Sequence, residues 1–94
     1  MIASFADGTT AAIFLGRSPK KGFPSSLLPA AHRKLAAINA ARSLDDLRAP
    51  PSNELHALQG DRAGPWAIWI NTQRRICFVW RDGTAHDVAI TDDH

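Results

Sequence analysis

The order of apolar and polar positions divides the chain into a helical first half and a second half of alternating strands. From about Ser26 to Arg42, apolar side chains recur at helical spacing, which predicts an amphipathic helix with one buried stripe. The stripe consists of Leu28, Ala31, Leu35 and Ile38. Polar side chains project from the other sides of this helix, among them Arg33 and Lys34.

Shorter elements flank this helix. Residues 2–5 are apolar enough for a short edge strand, and Asp7 is a candidate N-cap for a helix that ends at Gly16. Residues 18–24 contain two prolines and a glycine, which predicts a loop. Residues 43–46 resemble a capping box with aspartate in the reciprocal place, so one further helical turn is expected before Pro50 and Pro51.

Three strand signals follow, at residues 66–71, 74–81 and 84–90. The connections between them are short, and the second, Asp82-Gly83, is a favoured hairpin turn pair. An antiparallel meander is therefore expected.

Alternation along the second of these strands separates two faces. Ile76 and Phe78 would face the helices, and Arg75, Cys77 and Val79 would face the other way. The sequence therefore predicts an α+β fold, a small antiparallel sheet with two to three helices packed on one side. At 94 residues, a single domain over residues 1–94 is expected.

Composition excludes several classes of protein. Apolar residues make up 45% of the chain and charged residues 21%, which is typical of folded globular proteins. No apolar run approaches the roughly 20 residues that span a bilayer, and the first residues lack a secretory signal, so a cytoplasmic protein without membrane contact is expected. Cys77 cannot form an internal disulfide and is interpreted as a structural sheet residue rather than a nucleophile. Neither a cofactor nor a metal ligand pattern is apparent.

Charge is unevenly distributed although the net charge is only +2. Between residues 17 and 42 there are six basic residues and no acidic one. They are Arg17, Lys20, Lys21, Arg33, Lys34 and Arg42. Such a block is typical of a surface that binds a polyanion, since Lys and Arg supply most of the sequence-independent affinity for nucleic acid. A solvated helix face explains the block equally well.

Several segments together resemble one toxin family. They are residues 41–48, ARSLDDLR, residues 51–62, PSNELHALQGDR, then Ile70-Asn71, residues 75–78, RICF, and the ending Asp92-Asp93-His94. In this order and spacing the chain resembles the HigB-type toxins of the RelE/ParE superfamily over essentially its whole length. The resemblance implies a RelE-like α+β fold and a ribosome-dependent messenger RNA endoribonuclease. It also implies a helix-turn-helix antitoxin of the HigA type as partner. The chain would bind operator DNA only through this antitoxin.

The resemblance assigns three catalytic candidates. Arg75 matches an arginine that lies near the scissile phosphate in the family, and a guanidinium suits that place because it donates in a fork to phosphate oxygens. Asp92 and His94 match the first and last residues of the family's Asp-Tyr-His ending. Histidine titrates near neutral pH and can move a proton to or from a ribose hydroxyl, so metal-free cleavage is expected.

The chain also departs from the family pattern. Asp93 replaces the tyrosine of that ending, and the chain contains no tyrosine. Trp69 stands where many relatives carry a second arginine, and Gln59 where many carry lysine. These changes predict weakened activity, for which Trp69 would partly compensate by stacking on a nucleobase.

The remaining candidates are auxiliary. RNA-binding residues are expected at Lys20, Lys21, Arg33, Lys34, Arg62 and Trp69. For Arg62, capping of its own turn is an equal alternative. His56 is interpreted as structural or solvent-facing rather than as a second acid or base, and Asp93 as an auxiliary residue that can orient His94.

Three functions are compared. The first is the ribosome-dependent nuclease, and the second is a binding module with lost catalysis that acts only as a co-repressor with its antitoxin. The third, a gyrase-directed toxin of the ParE branch, should lack the His94 ending. That ending therefore argues against the third function.

Overall fold

Two α-helices form in the first half of the chain. The structure, a computed structural model, describes residues 1–19, 22–58 and 64–92. Helix α1 spans Gly8–Phe14, and the Asp7 carboxylate caps it by accepting the N–H of Thr10 at 2.7 Å, as predicted. Helix α2 spans Leu28–Ala40 and follows a 3-10 turn at Ser25–Leu27. In the described ranges no helix is long and apolar enough to cross a bilayer.

Two further 3-10 turns connect α2 to the sheet. They span Leu44–Arg48 and Pro51–Asn53. The chain leaves α2 in an extended conformation at Ala41, and the Asp46 carboxylate then accepts the backbone N–H groups of Arg42 at 2.8 Å and of Ser43 at 3.2 Å. The first of these two turns thus forms where the capping sequence predicts it.

The sheet is an antiparallel meander in the order β1-β2-β3-β4. Its strands are β1 at His56–Ala57, β2 at Pro65–Trp69, β3 at Arg74–Arg81 and β4 at Thr84–Asp92. The last three correspond to the predicted strands, and β1 was not predicted. The predicted first edge strand is present only as two isolated parallel bridges, from Ile2 and Phe5 to β4.

The β3–β4 hairpin turns at the predicted pair of residues. Asp82 and Gly83 both have positive φ, 51° and 75°. Positive φ at both central positions is the geometry that matches the twist of two-residue hairpins.

A β-bulge interrupts the pairing of β3 with β4. Cys77 pairs with Ala89 and Val79 pairs with His86, so β4 has one residue more than β3 between these two pairs. Within this stretch Asp87 adopts a left-handed conformation, with φ 53°. The bulge allows both flanking pairs to keep their side chains on one face of the sheet.

The core lies between the helices and one face of the sheet. The predicted helical stripe supplies the buried residues Ala31, Leu35 and Ile38, and β3 supplies Ile76 and Phe78. The cluster also contains Ile13, Leu47, Ile68, Ala85 and Val88. The predicted α+β arrangement, with helices on one side of a small antiparallel sheet, is confirmed.

Candidate active site

The face of the sheet that points away from the helices carries the candidate site. Arg75 on β3 pairs with Trp69 on β2 and with Thr91 on β4. Directly paired residues of antiparallel strands lie on the same face, so these three form one row. The next residue, Ile76, is fully buried on the core side. We call the side of this row the outer face, and define it by His56, Trp69, Arg75, Cys77 and Thr91.

His56 contacts Arg75 across the intervening strand. His56 lies on β1 opposite Ala67 of β2, and Ala67 in turn lies opposite Cys77. The small Ala67 side chain leaves room for the long arginine, whose Nη1 lies 3.4 Å from His56 Nε2. Both side chains are half-buried. The sheet thereby joins a histidine and an arginine that are 19 residues apart in the sequence.

The hydrogen bonds of the His56 ring define which nitrogen carries the proton. Nδ1 lies 2.6 Å from the carbonyl oxygen of Glu54. Because a carbonyl oxygen only accepts, Nδ1 must be the donor, and in the neutral ring Nε2 is then unprotonated. Nε2 can therefore accept the N–H of Arg75. The arrangement places a base and a cation side by side on the outer face.

Cys77 and Thr91 complete this part of the outer face. The Cys77 Sγ lies 3.4 Å from the Thr91 Oγ1, and the thiol is half-buried within the sheet. This position fits the structural role expected for the cysteine. Among the described residues, no cluster of three or more histidine, cysteine or acidic side chains is arranged to hold a metal ion.

Asp92 pairs with Arg74, the arginine next to Arg75 on β3. The register places Asp92 opposite Arg74, and its Oδ1 lies 3.6 Å from the Arg74 Nε. The Arg74 guanidinium also lies over the ring of Phe23, 5.7 Å from the ring centroid. These groups border a cavity of about 290 Å³ at the first turn of α1, on the helix side of the sheet.

The predicted RNA-binding residues fall into different environments. Arg33 is exposed on α2, whereas Lys34 is half-buried and its ammonium donates to the Asn53 Oδ1. Desolvation, with a smaller effect of the Arg33 charge, holds the pKa of Lys34 below its usual value. Trp69 is half-buried in the row of Arg75.

Several candidates lie outside the described residues. They are Lys20, Lys21, Gln59, Arg62, Asp93 and His94. The structure therefore brings together Arg75, Trp69 and His56. It places Asp92, two positions before His94 in the sequence, beside Arg74. The sequence did not predict the contact of His56 with Arg75, because this contact depends on strand pairing. The only sequence signal for it was the presence of a histidine, a residue type common in catalytic sites.

Comparison with known proteins identifies the family. Residues 3–94 match the profile of a family described as "RelE-like toxin of type II toxin-antitoxin system HigB". The chain is 44% identical over 62 residues to "Toxin HigB-1" of Vibrio cholerae. The aligned region covers 66% of the chain and 65% of that protein. It is 32% identical over 73 residues to "Endoribonuclease HigB" of Proteus vulgaris, which covers 78% of each.

A third relative, from Haemophilus influenzae, is uncharacterized and is 31% identical over 71 residues, 76% of this chain and 69% of that protein. The match thus spans slightly less than two thirds of the Vibrio toxin. The family match covers nearly the whole chain, from residue 3 to residue 94. The resemblance seen in the sequence is confirmed: the chain belongs to the HigB family of RelE-like toxins of type II toxin-antitoxin systems.

Proposed function

We propose that the chain is an endoribonuclease that cuts messenger RNA, with His56 and Arg75 at its active centre. The observation that carries the proposal is the contact of the Arg75 Nη1 with the His56 Nε2 at 3.4 Å, together with the proton fixed on Nδ1. The Proteus vulgaris relative, named as an endoribonuclease, supports the same activity.

Cleavage at this centre uses the substrate's own 2'-hydroxyl. The His56 Nε2 accepts the proton of that hydroxyl as its oxygen attacks the adjacent phosphorus. The bond from phosphorus to the 5'-oxygen breaks, which yields a 2',3'-cyclic phosphate and a 5'-hydroxyl after the leaving oxygen gains a proton. Arg75 donates to a non-bridging phosphate oxygen and stabilises the charge that develops there.

The carboxyl end of the chain supplies the acid. His94 protonates the leaving oxygen, and Asp92 supports this segment by pairing with Arg74 at the end of β4. Asp93 orients His94. Every proton and electron pair is then accounted for by the RNA and by protein side chains, and no metal is required.

Substrate and partners follow from the family and from the distribution of charge. Type II toxins have an antitoxin partner. We propose that this antitoxin is a helix-turn-helix protein of the HigA type. The antitoxin, rather than this chain, contacts operator DNA. The cleaved message is bound to the ribosome in the cytoplasm. Arg33, exposed on α2, contacts ribosomal RNA together with Lys20 and Lys21, and Arg62 is a further RNA contact.

A second function remains a candidate because of the residues that depart from the family pattern. The chain has no tyrosine, and Trp69 rather than a cation pairs with Arg75. A toxin fold with weakened catalysis would act as a co-repressor with its antitoxin.

Inducible expression of the chain without its antitoxin separates the two functions. The nuclease is expected to arrest growth and to generate new 5' ends in messages, whereas the co-repressor leaves growth and messages intact. Arg75→Ala should abolish the new ends. The matched control is Arg81→Ala, an exposed arginine at the far end of the same strand, which should retain them. Equal loss in both variants would contradict the proposed role of Arg75.

A further inference from the structure

Asn53 is a buried polar side chain with a partner at each end of its amide. It is only 1% exposed. Its Nδ2 donates to the carbonyl oxygens of Leu47 at 3.0 Å and Ala49 at 3.2 Å, and its Oδ1 accepts from the Lys34 ammonium. These partners belong to α2, to the Leu44–Arg48 turn and to the residue that follows that turn. Asn53 therefore fixes the Pro51–Asn53 turn to the helical layer.

The position of this turn determines where the Glu54 carbonyl points. Glu54 ends the turn in a left-handed conformation, with φ 49°, and its N–H donates to the Pro51 carbonyl at 3.1 Å. A residue with a side chain keeps this conformation only when its surroundings hold it there. The carbonyl of Glu54 is the group that accepts the His56 Nδ1 proton. Asn53 is thus one residue away from the group that selects the His56 tautomer.

We propose that Asn53 is a positioning residue for His56: it anchors the Pro51–Asn53 turn so that the Glu54 carbonyl holds the imidazole with Nε2 towards Arg75, and Lys34 supports it. The catalytic consequence of this inference rests on the proposed function. The inference also gives Lys34 a role within the protein, in addition to the role of RNA contact expected from the sequence.

The chemistry of the three partners explains why an amide is needed at this position. Two carbonyl oxygens require donors and the ammonium requires an acceptor, and only the carboxamide of Asn or Gln offers two N–H donors and an acceptor oxygen together. Aspartate has the same shape but would place an oxygen against two carbonyl oxygens. A buried carbonyl that loses its donor is destabilised, so the turn would move to find another partner.

Nitrogen NMR of histidine tests the proposal without any assay of activity, because it distinguishes the protonated ring nitrogen from the bare one. Spectra are recorded in alkaline buffer on protein labelled at its four histidines, and His56→Gln identifies the His56 signals. The wild type should show His56 protonated at Nδ1. In Asn53→Asp and Lys34→Met, both tautomers should appear. Arg33→Met, which removes a charge from the same turn of α2, should leave the His56 signals unchanged.

Cleavage kinetics test the consequence for the reaction. Both variants should lower kcat on the order of tenfold, because small displacements of a catalytic group have large effects on rate. KM should change little in Asn53→Asp, since Asn53 is buried, whereas Lys34→Met can also raise KM through the loss of an RNA contact. The positioning role is overturned if the His56 signals are unchanged in both variants. If Asn53→Asp does not fold, Lys34→Met alone decides. A wild type that cuts no RNA refutes the nuclease but leaves the NMR result to decide the positioning role.

Discussion

Two adjacent arginines of β3 lie on opposite sides of the sheet. Arg74 lies on the helix side of the sheet, where it meets the Asp92 carboxylate and the Phe23 ring. Arg75 lies on the outer face, where it meets the imidazole of His56. The contacts of Arg74 join the sheet to the segment before α2, whereas the contact of Arg75 pairs a cation with a base. The comparison teaches that alternation along one strand gives two adjacent arginines different surroundings, and with them different proposed roles.

The two sites also differ in what supports them. The partner of Arg74 comes from the adjacent strand and is placed by regular pairing. His56, which contacts Arg75, lies two strands away and is oriented by Glu54, which belongs to the irregular segment between α2 and β1. We therefore expect the outer face to be sensitive to changes in that segment and the helix side to tolerate them.

The largest effect is expected for the base of the outer face. His56→Gln should lower the single-turnover cleavage rate on the order of 10²–10⁴-fold, because an amide cannot accept the hydroxyl proton in the way imidazole does. The rate is measured on a ribosome-bound message. The matched control is His86→Gln, which changes the half-buried histidine opposite Val79 on the same sheet. A His56→Gln variant as fast as wild type would remove this residue from the mechanism.

A somewhat smaller effect should separate the two arginines. Arg75→Ala should lower the cleavage rate on the order of 10²–10³-fold, the usual effect of removing one donor to a developing negative charge. Arg74→Ala should lower the cleavage rate much less, since it affects the reaction only through the support that Asp92 gives to His94. It should also lower the free energy of unfolding by about 1 kcal/mol, since it removes a partly exposed ion pair and a cation–π contact. Urea denaturation measures the second quantity. The comparison fails if both variants lose the same activity.

The smallest effect concerns Asp46, in the segment between α2 and β1, and the dependence of the protein's stability on pH. Backbone N–H groups of Arg42 and Ser43 hold the pKa of Asp46 below its usual value of 3.8. A carboxyl group whose pKa is lowered by folding stabilises the protein above its unfolded pKa, and this stabilisation is lost as pH falls through the lowered value. Asp46→Asn should therefore be less stable near neutral pH and lose less stability on acidification. Melting temperatures across the acid range measure the difference, and parallel curves for both proteins would contradict it.

Regular periodicity made much of the fold predictable from the sequence. The stripe of α2 has one apolar position for each helical turn, and three of its four residues are fully buried. Asp7, the capping sequence at Ser43 and the Asp82-Gly83 turn are local signals, because each depends on hydrogen bonds or backbone angles within a few residues. These elements form where such signals place them.

The candidate site was less predictable because its contacts join distant residues. Strand β1 has only two residues and no period of its own, so its existence depends on pairing with β2. His56 was therefore interpreted as structural or solvent-facing, and its contact with Arg75 was not predicted. Lys34 similarly reads as a surface cation in the basic block, and its contact with Asn53 depends on how the turns fold against α2. For Arg75, strand alternation predicted a position on the face away from the helices, and the structure places it there; its catalytic role stays a prediction from the family pattern.

The bulge on β4 has a consequence for the end of the chain. If β4 continued from the hairpin without an extra residue, each later side chain would move to the opposite face of the sheet. Ile90 would then lie beside Arg75, and Val88 would move from the core to the outer face. Asp87 would then point into the apolar interior, and burying an unpaired carboxylate there costs several kcal/mol. The negative charge of Asp87 thus disfavours pairing of β3 and β4 without the bulge. In this way Asp87 keeps Asp92, five positions later in the chain, opposite Arg74.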